Sequence, residues 1–244
     1  MANVMSELTL VDLVSNGTMN AKIAATLASI AAQRHSFMVV AVPRFAGKST
    51  VTDAMLQCVP TNVPIHRLSG EEAEMDRLKL KGSGGYLVVG EFSRGPVPGY
   101  IWGSPVRKVF ETMRAGYSLS TALQAPSMEE AFAAICHANS VPDEDASRLT
   151  YVVYIERMGD GEDSYWRRIA QVHEVDRVVD GKPHGRLLFR WREKNDSFEQ
   201  AEEPRLLGID GNRLRGRAYR ITELVTSGRT SVEETRSVVT DPRY

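Results

Sequence analysis

The segment that most restricts the fold runs from Phe37 to Thr50, FMVVAVPRFAGKST. Its first six residues, Phe37 to Val42, form a continuous apolar run of the kind found in a parallel strand that is buried on both faces. A short loop follows, and apolar residues then recur with helical spacing from Lys48 to Val59. We therefore expect a buried strand, a tight loop and a helix in direct succession.

This succession is typical of a loop that binds phosphate. Such a loop needs backbone N–H groups that converge at a helix N-terminus, a lysine for the β- and γ-phosphates and a hydroxyl group for Mg²⁺. We predict that Lys48 binds the nucleotide and is catalytic, and that Ser49 binds both the nucleotide and the metal. The full set of predicted nucleotide-binding residues is Arg44, Phe45, Ala46, Gly47, Lys48, Ser49 and Thr50.

The motif is incomplete, because the pattern GxxxxGK(S/T) requires glycine where this chain has Val42. A β-branched residue resists the unusual backbone angles that glycine often supplies at such a position. The alternative interpretation is a tight turn in which Gly47 supplies a positive φ and Lys48 merely faces solvent.

A second apolar strand, Tyr86 to Gly90, leads directly into Glu91. Open α/β sheets place their ligands at the carboxyl edge of the strands. We predict that Glu91 is a catalytic acid that orients water or helps to hold Mg²⁺. An apolar strand that ends in glutamate is weak evidence by itself, and it gains weight here because it follows a phosphate loop.

Strands and helices alternate from the first helical segment to Asn139, which predicts an α/β fold with an open, mostly parallel sheet. After Pro142 the chain is β-rich, with segments 150–157, 166–178 and 185–192 that predict a terminal β-meander. The tail from Glu202 is predicted to be helical and locally basic. We expect an N-terminal helical entry segment (1–34), a core with its meander (35–200) and a helical C-terminal tail (201–244).

The composition of the 244 residues excludes several classes of protein. The 30 basic and 31 acidic residues nearly cancel, so we expect no nucleic-acid partner, whose binding usually needs an excess of basic side chains. The only two cysteines, Cys58 and Cys136, have no partner at the spacing of a metal site, which favours a reducing compartment. No run approaches the ~20 apolar residues of a membrane span.

The order of the motifs resembles the hexameric ATPases of type II secretion, type IV secretion and type IV pilus assembly. LTLVDLVSNGTMNAKIAATL resembles the entry into their motor domain, and VVGEFSRGP resembles their VGE-x-RGP signature, with Ser93 as an extra residue. AGYSLSTALQAPSMEEAF resembles their His box, TGH-x-x-x-STxHAxS-x-x-EA, and RRIAQVHEV resembles the meander that follows that box. The likeness covers residues 8 to 200.

The resemblance implies a RecA-like P-loop NTPase core that uses ATP and Mg²⁺. Lys48 and Ser49 would hold phosphate and metal, and Glu91 would polarise the attacking water. Arg94 matches the arginine of RGP and Gln124 stands for the His-box histidine, so both are candidates for stabilising charge. The implied partners are further copies of the chain in a ring and the secretion or pilus machinery at the inner membrane, with a location in the cytoplasm or peripheral to that membrane.

The chain also departs from the family pattern. Tyr117 replaces the histidine of TGH, and the acidic box and arginine fingers are reduced to HRLSGEEAEMDR, in which Glu71 or Glu72 would be the remnant of the acidic box. Arginine fingers are worth ~10³ to 10⁵ in rate. Two functions stay open: an ATPase with weak turnover that drives protein secretion or pilus assembly, and a degenerate, non-hydrolysing relative that acts as a nucleotide-binding or assembly module. A guanine-specifying NKxD motif is absent.

Overall fold

The computed structural model describes residues 8–42, 45–159, 165–241 and 243. Ten strands lie in this part of the chain. In chain order they are β1 (Phe37–Ala41), β2 (Ile65–Arg67), β3 (Gly85–Val88), β4 (Glu91–Phe92), β5 (Tyr100–Ile101), β6 (Tyr117–Gln124), β7 (Tyr151–Met158), β8 (Trp166–Val179), β9 (Lys182–Arg192) and β10 (Ser197–Gln200).

Nine α-helices accompany these strands within the described ranges. They are α1 (Leu10–Ser15), α2 (Ala21–Ala32), α3 (Lys48–Leu56), α4 (Glu72–Lys81), α5 (Ser104–Met113), α6 (Met128–Ala133), α7 (Asp143–Ala146), α8 (Gly211–Thr226) and α9 (Val232–Thr240). A π-helical turn, Ala134–Ala138, extends α6. No helix of the described residues is long and apolar enough to cross a membrane.

Eight strands form one sheet in the order β10-β9-β8-β7-β1-β6-β3-β2. The strands β7, β1, β6, β3 and β2 are parallel to one another, which confirms the predicted α/β class. Strand β1 lies between β6 and β7, and all five of its residues are buried. Its continuous apolar run follows from this central position, since neither face of the strand meets water.

The meander is confirmed, because β7, β8, β9 and β10 pair antiparallel in sequence. Strand β7 pairs parallel with β1, so it is both a strand of the central parallel sheet and the first strand of the meander. The meander is consequently attached directly beside the strand that leads into the phosphate loop.

The two faces of β1 belong to two apolar clusters. Phe37, Val39 and Ala41 pack with α1, α2 and α3, whereas Met38 and Val40 pack on the opposite face with α5 and α6. The helices of the tail join the first cluster through Leu214, Ala218, Ile221, Leu224 and Val238. Arg217 of α8, in the basic tail, is buried and donates a hydrogen bond to Ser29 Oγ of α2.

The loop of residues 93–105 is only partly exposed. Residues 94–98 are exposed, but Tyr100 and Ile101 form β5, which pairs with β4, and Ile101 is buried. The loop therefore returns to the sheet edge and fixes the strand that carries Glu91.

Candidate functional site

The predicted phosphate loop connects the carboxyl end of β1 to the first turn of α3. Gly47 occupies the N-cap of this helix with φ 102°, and no side chain caps the turn among the described residues. The first N–H groups of any α-helix lack partners within the helix. The first turn of α3 therefore presents free backbone donors and the positive end of the helix dipole, which is the arrangement that binds anions.

Among the loop residues that the structure describes, Phe45 with φ 61° and Gly47 with φ 102° adopt left-handed backbone conformations. Val42 is not among the residues with positive φ. The missing glycine at this position therefore imposes no strain on the loop. Phenylalanine in this region is uncommon, and such strain is concentrated at functional sites.

Lys48 points from the loop towards the neighbouring end of the sheet. Its Nζ lies 3.2 Å from Glu91 Oε2, and both side chains are buried, at 9% and 10% exposure. The alternative interpretation, in which Lys48 merely faces solvent, is therefore wrong. Two residues that the sequence separates by more than forty positions form one ion pair at the mouth of the loop.

The sequence pattern predicted that Glu91 ends the strand that became β3, and the structure places it elsewhere. Strand β3 ends at Val88, and Glu91 begins β4, a separate short strand that pairs with β5 at Tyr100. The strand order explains why Glu91 still reaches Lys48, because β3 and β1 are separated only by β6 and all three run parallel. Their carboxyl ends therefore meet at the same edge.

The other predicted loop residues differ in exposure. Ala46 is buried, Phe45 is 81% exposed, Ser49 is exposed and Thr50 is half-buried. Arg44 lies outside the described residues. The Ser49 hydroxyl group is therefore accessible at the first turn of α3, where a metal ion that bridges phosphates would sit. No cluster of three or more His, Cys, Asp or Glu suited to a metal occurs in the described part of the chain.

Gln124 and Arg94 occupy different surroundings. Gln124 is exposed at the carboxyl end of β6 and stands in register with Ala41, so it lies beside the start of the loop. Arg94 is exposed in the loop after β4, and its guanidinium lies 5.4 Å from the centroid of the Trp102 ring. The structure thus places Gln124 at the edge that carries Lys48, whereas Arg94 contacts its own loop.

Tyr117 and Glu72 have structural contacts elsewhere. Tyr117 begins β6, and seven residue steps of about 3.3 Å put it about 23 Å from Gln124. Its hydroxyl group donates to the carbonyl oxygen of Leu78 at 2.8 Å. The replacement of histidine by Tyr117 therefore lies at the opposite edge of the sheet from the loop. Glu72, a candidate remnant of the acidic box, accepts a hydrogen bond from the Ser104 hydroxyl group.

Sequence reasoning missed Arg167, which reaches the loop from β8. Its Nη2 donates to the carbonyl oxygen of Phe45 at 3.0 Å. A Cβ atom at Gly47 would come within 2.9 Å of Arg167 Cδ, so only glycine permits this approach. Arg167 is the first residue of the motif RRIAQVHEV, but the sequence alone assigns this motif only to a strand.

An open pocket lies next to the loop on the side of β8. Its walls are mixed, with Arg167, Asn16 and the two threonines as polar members. The lining residues are Leu8, Leu13, Asn16, Thr18, Gly47, Thr50, Val51, Ile155 and Arg167.

Comparison with known proteins gives little support from sequence: no family model matches the chain, and no curated protein is detectably similar to it. The X-ray structure of the ATPase DotB from Legionella pneumophila is similar at a TM-score of 0.42 and 10% identity. The match covers 85% of this chain and 58% of the DotB chain, so the chain spans less than two thirds of that protein's length. A score this low adds no weight to any assignment of the site.

Proposed function

We propose that the carboxyl edge of the sheet binds ATP with Mg²⁺. One observation carries the proposal: Lys48 stands at the uncapped N-terminus of α3, directly after the central parallel strand, with the Glu91 carboxylate 3.2 Å from its Nζ. A cation and free backbone donors favour phosphate. The adjacent carboxylate supplies an acceptor for the proton of a hydroxyl nucleophile.

Each group of the chain has a distinct role in this function. The first-turn N–H groups of α3 donate to phosphate oxygens, and the Ser49 hydroxyl group would hold Mg²⁺, which neutralises phosphate charge when it is bound. Lys48 exchanges its contact with Glu91 for the terminal phosphates. Glu91 is thereby released to accept a proton from the attacking water. The water oxygen forms a bond to the γ-phosphorus while the bond between that phosphorus and the bridging oxygen breaks, and ADP leaves.

A more specific proposal, on the class of ATPase, rests on the order of the sequence motifs. We propose a RecA-like core related to the ATPases of secretion and pilus assembly, in which several copies form a ring and act with membrane-associated machinery from the cytoplasm. Light scattering with nucleotide tests this part separately. A strict monomer at high protein concentration would contradict a ring without affecting the nucleotide site.

A second candidate is a module that binds nucleotide and does not hydrolyse it. The contacts of Arg94 favour it, because its guanidinium lies over Trp102, while Gln124 replaces a titratable histidine at the edge. Charge-stabilising arginines account for a large part of the rate in related chemistry. A chain that lacks them at the phosphates retains binding and loses most of the turnover.

Calorimetric titration with ATP, in the presence and absence of Mg²⁺, tests the proposal. We expect binding by the native chain and none by Lys48→Ala, whereas Lys81→Ala, which removes an exposed lysine at the end of α4, leaves binding unchanged. Because Lys48→Ala leaves Glu91 buried without its partner, the double variant Lys48→Met/Glu91→Gln keeps the test independent of folding. Nucleotide affinity that survives in both Lys48 variants would disprove the phosphate-loop assignment, and binding without phosphate release by the native chain selects the second candidate.

A further inference from the structure

Arg167 differs from four other arginines of the meander in what it contacts. Arg168, Arg186, Arg190 and Arg192 all form ion pairs with carboxylates. Within the described ranges no carboxylate lies at ion-pair distance from Arg167. Its recorded acceptor is instead a carbonyl oxygen of the phosphate loop, that of Phe45.

The guanidinium of Arg167 keeps donors that the protein does not use. Arginine has five N–H groups, and for Arg167 only Nη2 has an acceptor among the described residues. Its Nε is buried against Gly47 without a partner. The N–H groups of Nη1 and Nη2 that the protein does not use can pair with a ligand that brings an acceptor oxygen.

Arg167 has one aromatic and one cationic neighbour in the meander. Arg167 lies 4.7 Å from the centroid of the Tyr165 ring, and Arg157, its cross-strand partner on β7, lies 4.2 Å from the same ring. Like charges at directly opposite positions of a sheet repel each other. The tyrosine face relieves part of this repulsion, and an anion bound beside Arg167 would relieve more.

The direction of approach indicates which part of a nucleotide Arg167 meets. Strand order places β7 and β8 on one side of β1, and β6 and β3 on the other. Lys48 turns towards Glu91 on the second side, where the terminal phosphates would lie, whereas Arg167 comes from the first side. There it shares the open pocket with Gly47 and Thr50.

We propose that Arg167 binds the phosphate nearest to the nucleoside when a nucleotide occupies the loop, an inference that rests on the function proposed above. Arg167 then contributes to the affinity for ATP and ADP alike and takes no part in the transfer of the γ-phosphoryl group. The meander thus contributes Arg167 to a set of nucleotide-binding residues that the sequence predicts only between Arg44 and Thr50.

The test compares Arg167→Gln, Arg167→Lys and Arg177→Gln with the native chain, by calorimetric titration with ATP and with ADP in Mg²⁺. Arg177 is exposed on the same strand, so its replacement removes the same charge away from the loop. We expect Arg167→Gln to weaken both nucleotides about ten- to a hundred-fold, as loss of a charge-assisted hydrogen bond implies. Arg167→Lys should recover part of this loss, and Arg177→Gln should bind as the native chain does.

The thermal midpoint of the ligand-free protein distinguishes a binding role of Arg167 from a purely structural one. We expect Arg167→Gln to change this midpoint by less than about 2 °C. Three results would overturn the inference: affinity equal to that of Arg177→Gln, a loss confined to ATP, which would place Arg167 at the terminal phosphate, or a loss fully matched by a lowered midpoint. Absence of binding by the native chain would instead refute the proposed nucleotide site, together with this inference.

Discussion

Charged residues are distributed differently in the parallel and the antiparallel parts of the sheet. Strands β1, β3 and β6 contain no charged residue, and the charged groups Lys48 and Glu91 occur only beyond their carboxyl ends. In the meander, by contrast, charges lie along the strands and pair across them, as in Arg168–Asp196, Arg186–Glu174 and Arg190–Glu199. The charges of the central parallel strands therefore lie at their carboxyl edge, whereas those of the meander lie along its strands and pair across them.

Glu174 is a buried carboxylate of the meander with polar partners on several elements. Its side chain is fully buried, accepts a hydrogen bond from the Tyr151 hydroxyl group at 2.7 Å and pairs with Arg186. It also accepts from the backbone N–H groups of Arg205 and Leu206, which lead into the tail. One carboxylate thus joins β7, β8, β9 and the start of the C-terminal segment.

The comparison predicts that the largest loss of stability comes from the meander. Glu174→Gln leaves Arg186 buried without its strongest partner, and breaking a buried pair typically costs about 3–5 kcal/mol. We expect a loss of this size in the free energy of unfolding, measured with urea, and native ATP affinity in the fraction that stays folded. A change in affinity at unchanged stability would contradict the division between the two parts.

Gly47→Ala should have the largest effect on the ligand site short of removing Lys48. The positive φ of 102° is strained for alanine, at a cost of about 1–3 kcal/mol, and the new Cβ would displace Arg167. We expect ATP affinity to fall more than about ten-fold. Gly82→Ala is the matched control, because Gly82 also has a positive φ but its Cβ would meet no atom within 4 Å. Equal affinities of the two variants would show that the loop does not bind the nucleotide.

Glu91→Gln separates binding from chemistry. The amide keeps the shape of the side chain and removes the proton acceptor, so turnover should fall by about 10² or more. ATP affinity should stay within a few-fold of the native value, because Lys48 no longer has to leave an ionic partner. Steady-state phosphate release and calorimetric titration on the same preparation check both effects. Turnover that survives in this variant would exclude Glu91 as the catalytic acid.

A smaller, pH-dependent effect is expected at the junction of the two parts. Burial lowers the pKa of His35 below its ordinary value of 6.5, although the charge of Glu174 raises it in part. The folded state therefore binds fewer protons than the unfolded state just below pH 6.5, and stability falls as the pH drops through that range. Urea midpoints at pH 7.5 and 5.5 should differ less in His35→Phe than in the native chain. Burial also lowers the pKa of His173, so His173→Phe should reduce the same difference independently.

Glu199→Gln should have the smallest effect, although Arg190 and Arg192 lower the pKa of Glu199 to about 2. The pair is exposed to solvent, and ion pairs of this kind contribute little to stability. We expect the urea midpoint at pH 7 to stay within experimental error of the native value, in contrast to the same substitution at Glu174. A loss comparable to that of Glu174→Gln would mean that pairing, and not burial, determines the stability of the meander.

Local patterns predicted most of the secondary structure. The apolar run of β1 and the helical spacing after Lys48 identified the strand, the loop and the helix, because both periodicities are properties of neighbouring residues. The predicted meander was correct for the same reason. Glu91 was placed on the wrong strand, since its pairing with β5 depends on a loop that returns from Tyr100, which no local pattern encodes.

The sequence by itself determined that a buried strand would lead into a glycine-lysine turn and a helix, since strand burial and helix periodicity are written in consecutive residues. Only the tertiary structure decided that Lys48 meets Glu91, that β7 joins the meander to β1 and that Arg167 contacts the loop. These contacts join residues far apart in the chain, and their geometry follows from strand order. Strand order depends on how the two apolar clusters pack on opposite faces of β1, and no single segment contains that information.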